Sequence, residues 1–79
     1  MRLVGNIPHD RLAINVFEWN ERFIVKLEGG PMEQTFKLEK TTVSGIEEIT
    51  KLLDEEFINN TVERFNAMHQ DLLKGLSRI

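Results

Sequence analysis

The stretch Arg22-Phe23-Ile24-Val25-Lys26-Leu27-Glu28 decides the fold of this chain. It is rich in β-branched and aromatic residues, which are favoured in strands, and apolar side chains fall on both of its faces. Turn-forming residues lie on either side of it, Asn20-Glu21 before and Gly29-Gly30-Pro31-Met32 after. We therefore predict that this stretch is the central strand of a small antiparallel sheet.

Two neighbouring stretches, residues 12–19 and 33–40, complete the predicted three-stranded sheet. A two-residue loop at Asn20-Glu21 pairs Trp19 with Arg22, and a four-residue turn at residues 29–32 pairs Glu28 with Glu33. Register is strongly specified when one face of a sheet is buried, because a slip of one residue exchanges the faces. The predicted inner face consists of Leu12, Ile14, Val16, Phe23, Val25, Leu27, Phe36 and Leu38.

The opposite face of the predicted sheet carries an aromatic and aliphatic cluster, Phe17, Trp19 and Ile24. Two helices can cover only one face of a three-stranded sheet. Two alternatives follow for this cluster. Either Trp19 stacks on Arg22 and an N-terminal arm lies over the cluster, or the cluster is a contact surface, because contiguous exposed aromatic area marks interfaces.

The remainder of the chain predicts two helices. Ser44-Gly45-Ile46-Glu47 matches a capping box, and a helix over 44–58 follows from the apolar spacing after it. The apolar stripes before and after Asn59-Asn60-Thr61 point roughly 115° apart. We therefore predict a break there and a second helix over 61–76, capped by Asn60 or Thr61. The alternative is one long helix whose C-terminal half leaves the sheet and packs against another subunit.

The composition limits the classes of function. The chain has 79 residues, a net charge of −3, and no cysteine for disulfides or thiolate metal sites. A core this small usually needs support from a partner subunit. No segment is basic enough for binding nucleic acid through phosphates. No apolar run approaches the roughly 20 residues that span a bilayer, and no secretory signal is recognisable, so we expect a cytoplasmic protein.

No motif indicates an enzyme. His69 lies on the apolar side of the second predicted helix, and His9 stands beside Asp10, without a second histidine or a nucleophile at a characteristic spacing. We therefore predict no catalytic residue, no metal site and no cofactor. A different hypothesis is a small-ligand pocket between sheet and helices, near Met32, Phe36, Met68 and His69. A third hypothesis is an enzyme that uses His9 with nearby carboxylates.

The sequence as a whole predicts one α+β domain with the order βββαα. It consists of an N-terminal arm over 1–10, a β-meander over 11–40, and helices over 44–58 and 61–76. Within the arm, Leu3, Val4 and Ile7 are compatible with either a short edge strand or a packed arm. The predicted function is a non-catalytic interaction or regulatory module that acts as a homo-oligomer, with another protein as an alternative partner. The candidate interface residues are Phe17, Trp19, Ile24, Phe65, Met68, Leu72 and Leu76.

Overall fold

The computed structural model describes all 79 residues and contains four strands and two helices, in the order ββββαα. The strands pair antiparallel in the order β1-β2-β3-β4. The prediction of an α+β fold is confirmed, whereas the prediction of three strands is wrong. The elements are β1 Arg2–Ile7, β2 Ala13–Trp19, β3 Arg22–Gly29, β4 Met32–Glu39, α1 Ile46–Leu52 and α2 Glu55–Leu76.

The additional strand, β1, is formed by the segment that we expected to be an arm. It pairs with β2 along one edge of the sheet, and a bulge between Leu3 and Gly5 shifts the register. A bulge adds one residue to a strand, so the alternation of faces changes partway along it. This explains why residues 1–10 show no period of two. A Cβ at Gly5 would lie 3.1 Å from Cδ1 of Ile46, so the strand passes close beneath α1.

The predicted register of the other three strands is confirmed, including Trp19 opposite Arg22 and Glu28 opposite Glu33. Asn20 and Glu21 have φ angles of 52° and 59°. Positive φ at both loop residues is what a type I′ hairpin turn requires. The second turn differs from the prediction, because Gly29 pairs with Met32 and only Gly30 and Pro31 form the loop. The φ of Gly30, +59°, suits a residue without a Cβ.

The core lies between the inner face of the sheet and the two helices. The predicted inner-face residues of β2, β3 and the loop before β2 are all buried, and Phe36 and Leu38 of β4 pack against them. The opposite side of this layer is formed by three helical side chains, Ile49, Ile58 and Phe65, and by Leu53 between the two helices.

The predicted helix boundaries need two corrections. The break between the helices lies at residues 53–54 instead of 59–61, and Asp54 is the N-cap of α2, with its carboxylate accepting from the Phe57 amide at 2.9 Å. Thr61 is buried inside α2, where its hydroxyl donates to the Phe57 carbonyl at 3.0 Å. A threonine bonded to the carbonyl four residues earlier does not interrupt a helix.

The predicted capping box is also wrong. The N-cap of α1 is Gly45, which makes no side-chain bond, and the amide of Ser44 instead donates to Glu48 at 2.7 Å. Phe57 and Val62, which belong to the two predicted stripes, lie in one continuous helix. The phase difference did not require a break between them, because Met68, Leu72 and Leu76 of the later stripe are exposed and do not face the sheet. The second helix ends at Leu76, as predicted.

Candidate interaction surfaces

The distal half of α2, after Phe65, carries a row of exposed apolar side chains. No residue of the helix beyond Phe65 is buried. Leu72, Met68, Leu73 and Leu76 are 42%, 44%, 46% and 53% exposed, and we call these four residues the α2 stripe. Met68, Leu72 and Leu76 follow one another at intervals of four, which places them along one side of a helix. The structure thus presents a continuous apolar surface where the helix has passed beyond the sheet.

Phe65 marks the point where the core ends and the stripe begins. It is 4% exposed. A Cβ at Gly29 would lie 3.0 Å from Cδ2 of Phe65 and 3.1 Å from Cδ2 of Leu12, so the ring packs directly on the end of β3. The sequence grouped Phe65 with the candidate interface because it shares the helical spacing of the stripe. Its burial makes it a core residue of the single chain.

His69 flanks the α2 stripe and is half-buried, and its Nδ1 atom has no hydrogen-bond partner. Leu73, beside it, was not among the candidate interface residues. The structure includes Leu73 in the stripe because apolar residues occupy more of the helix circumference near its C-terminus. In the sequence, this is visible as the pair Leu72-Leu73 followed by Leu76.

The outer face of the sheet is less exposed than its composition suggests. Ile24 is only 4% exposed although no helix lies over it. Its neighbours across the strands, Phe17 and Lys37, flank it on both sides, and Nζ of Lys26 lies 5.8 Å from the centre of the Phe17 ring. Long lysine side chains cover apolar surface with their methylene stems while keeping the ammonium group in water. Ile24 is therefore covered by the side chains of its neighbours on the same face of the sheet.

Trp19 and Leu3 are the exposed apolar residues of this outer face, at 53% and 57%. The structure excludes an arm lying over the cluster, because β1 extends the sheet sideways and brings Leu3 opposite Phe17. Arg22 is engaged with Glu39 at 2.8 Å across the strands. Leu3 was not among the candidate interface residues, because residues 1–10 were expected to form a packed arm or a short edge strand of undefined pairing.

A charged cluster lies on the inner face of the sheet, at the end that carries the β2–β3 turn. Glu18 contacts Lys40 and Arg2, each at 2.7 Å. The hydrogen bond from Lys40 and then that from Arg2 lower the pKa of the Glu18 carboxyl below its ordinary value. Nζ of Lys40 also lies 5.6 Å from the centre of the Phe23 ring. This cluster joins β1, β2 and the end of β4 beside the core.

His9 belongs to a set of contacts that holds the β1–β2 loop against the start of α2. Its Nδ1 accepts from the Arg11 amide at 3.1 Å, and its Nε2 lies 3.3 Å from Oε1 of Glu55. A bond accepted at Nδ1 places the proton of a neutral imidazole on Nε2, which then donates to the carboxylate. Arg11 bonds to Asn59 of the same helix. These contacts give His9 and Asn59 a structural role.

An apolar cavity of about 180 Å³ lies between the β3–β4 side of the sheet and the junction of the helices. It coincides with the predicted ligand pocket only at Phe36, whose ring meets that of Phe57 edge-on with centroids 5.6 Å apart. Met32 lines a separate depression, and Met68 and His69 line neither. The cavity is lined by Val25, Phe36, Leu38, Ile49, Leu52, Leu53 and Phe57.

Comparisons of the chain with protein-family models, with curated proteins and with solved structures found no match. Within the structure, no three histidine, aspartate or glutamate side chains are grouped so that they can hold a metal ion. Neither helix combines the length and the apolar character needed to cross a membrane.

Proposed function

We propose that this protein is a small non-catalytic interaction module that associates with itself through the α2 stripe. The observation that carries the proposal is the exposure of Met68, Leu72, Leu73 and Leu76 on a helix segment with no sheet beneath it. Large contiguous apolar patches are uncommon on monomers and mark contact surfaces. The other exposed apolar surface contains Trp19 and Leu3, and Trp19 lies directly opposite the charged residue Arg22.

The small core of the chain supports the same proposal. Only 13 of the 79 residues are buried, which leaves the single chain with little apolar burial to offset its conformational entropy. Covering the α2 stripe with the same stripe of a second copy removes apolar surface from water on both chains, at about 25 cal/mol for each Å². A two-fold contact also uses one surface twice, as most homodimers do.

The proposal is tested by placing a charge in the middle of the α2 stripe. We expect Leu72→Glu to weaken self-association by about tenfold or more, because a carboxylate at a packed apolar contact must be desolvated. Leu72 is exposed in the single chain, so the variant should fold normally by circular dichroism. Sedimentation velocity over a concentration series measures the change.

Ala67→Glu is the matched control, because it places the charge on an exposed position of the same helix, on the side away from the α2 stripe. It should leave the association unchanged. Trp19→Ala tests the outer face of the sheet in the same way. If Trp19→Ala dissociates the protein and Leu72→Glu does not, the interface is on the sheet and the α2 stripe is not the contact.

A further inference from the structure

The outer edge of β4 is a second exposed feature, and it can pair with another strand. This strand has eight residues, pairs with β3 alone, and runs without a bulge or a proline. An edge strand presents unpaired backbone N–H and C=O groups, which are a template for another strand. The opposite edge of the sheet, β1, is interrupted by its bulge. The longer and more regular edge is thus the one on β4.

The backbone groups that point outward from β4 belong to its odd-numbered residues. Gly29 and Met32 flank the two-residue turn, and at the other end of the hairpin the amide of Lys40 donates to the carbonyl of Glu21 at 3.3 Å. Antiparallel partners alternate between pairs that exchange hydrogen bonds and pairs that do not. The even-numbered residues therefore bond to β3. The residues directed outward are Glu33, Thr35, Lys37 and Glu39, all of them exposed.

The charges on these residues discriminate between the possible registers of two antiparallel β4 strands. A two-fold axis at Thr35 places Glu33 of each copy opposite Lys37 of the other, which gives two attractive pairs. An axis at position 36 places Glu33 opposite Glu39, and an axis at position 37 places Lys37 opposite Lys37. An axis at position 38 places Lys37 opposite Glu39 but pairs only residues 37–39 of the strand, and an axis at position 34 makes no attractive charge pair. Like charges directly opposite one another are unfavourable in a sheet, and opposite charges are favourable.

We propose that the β4 edge is a second self-association surface, on which two copies pair antiparallel about an axis at Thr35. In this register the outward N–H and C=O groups of both strands face each other. On the inner face, Met32 of the second copy lies opposite Leu38, which lines the apolar cavity. The two sheets become one continuous sheet of eight strands.

This contact does not use the α2 stripe, so either surface can fail without the other. A copy that uses both has two different neighbours, and the wild-type protein then assembles beyond a dimer. Each surface is isolated by disabling the other. The variant Leu72→Glu serves as the background in which the β4 edge is tested alone.

The test uses two single charge reversals, Glu33→Lys and Lys37→Glu, in that background. Each variant alone has two repulsive pairs in place of two attractive ones, and we expect its self-association to weaken by about tenfold or more. A mixture of the two variants restores both attractive pairs. We therefore expect a 1:1 heterodimer, observed by native mass spectrometry and sedimentation velocity, at least as tight as the parent homodimer.

The double reversal, with Glu33→Lys and Lys37→Glu in one chain, separates pairing from folding. It restores complementarity between identical copies and should associate like the parent, even where a single reversal disturbs the contact of Glu33 with Lys26 at 4.0 Å. The proposal is overturned if each single variant associates as the parent does, or if the mixture forms no heterodimer. If Leu72→Glu alone makes the protein monomeric, and the mixture of the two charge-reversed variants forms no heterodimer, the β4 contact is overturned. That result would support the α2 stripe as the contact surface.

Discussion

Glu18 shows how a single charged residue can belong to the inner face of a small sheet. Its carboxylate lies between Lys40 and Arg2, and both partners favour the ionised form, so its pKa is lowered in the folded chain. A carboxyl whose pKa is lower when folded stabilises the protein above the pKa of the unfolded carboxyl, about 4.3. That contribution disappears as the pH falls through the lowered pKa.

We accordingly expect Glu18→Gln to lower the free energy of unfolding at neutral pH. The difference from the wild type should shrink below about pH 4, where the unfolded carboxyl takes up its proton. Urea denaturation at several pH values measures this difference. Glu63→Gln is the control, since Glu63 is exposed and has no ion-pair partner. An equal effect of both substitutions at every pH would contradict the assigned role of Glu18.

Gly29 is the residue on which the packing of α2 against the sheet depends most closely. An alanine methyl at this position lies 3.0 Å from the ring of Phe65, so the ring must shift. We expect Gly29→Ala to lower the free energy of unfolding by about 1–3 kcal/mol, the usual cost of an overpacked core. Gly75→Ala is the control, because its methyl meets only the end of the Arg78 side chain, at 3.8 Å. Thermal or urea denaturation that finds the two variants equally stable would show that Phe65 has room to move.

The strands and the helices differ in how far the sequence predicts them. The register of β2, β3 and β4 follows from strict alternation around Phe23, Val25 and Leu27, and the structure confirms it. The bulge in β1 removes that alternation, so its pairing depends on contacts with β2 and α1 that are distant in sequence. The local pattern therefore left this segment open between a short edge strand and a packed arm, and could not give its pairing.

The position of the helix break was also beyond local pattern. The phase difference between the apolar stripes predicts a break only if both stripes face the sheet, whereas Met68, Leu72 and Leu76 are exposed. The cost of asparagine inside a helix is well under 1 kcal/mol, and Asn59 recovers some of it by accepting from Arg11. The break at residue 54 is favoured by the bond from the Phe57 amide to the Asp54 carboxylate.

We expect Asp54→Ala to lower the free energy of unfolding by about 1 kcal/mol, the typical value of an N-cap. Asn60→Ala should have no such cost and should stabilise by a few tenths of a kcal/mol, because alanine is the better helix former. Urea denaturation of the two variants compares the observed cap with the one expected from the sequence. The reverse order of stability would place the start of the helix at residue 60.

At the scale of the whole molecule, the helix is longer than the sheet that supports it. A helix of 22 residues spans about 33 Å, whereas an eight-residue strand spans about 27 Å. In addition, α2 first meets the sheet partway along the length of the strands. The molecule is elongated as a result, at 44 × 26 × 18 Å. The overhanging end carries the α2 stripe.

The sequence identified part of this surface. Met68, Leu72 and Leu76 were candidates from helical spacing alone, and all three are exposed. The same spacing includes Phe65, which is buried. Periodicity shows which side of a helix is apolar, but it does not show where along the helix the contact with the sheet ends. Ile24 is also buried, since the coverage by Phe17 and Lys37 depends on cross-strand neighbours that fill the outer face.

Hydrogen exchange of the unmodified chain at low and high protein concentration tests self-association through the α2 stripe most directly. Covering the stripe suppresses local opening of the overhanging helix, so the amides of residues 68–76 should exchange more slowly at high concentration. Leu72→Glu should abolish that dependence. Exchange of residues 68–76 that is the same at both concentrations, in a protein that sedimentation shows to be associated at the higher one, would contradict the account.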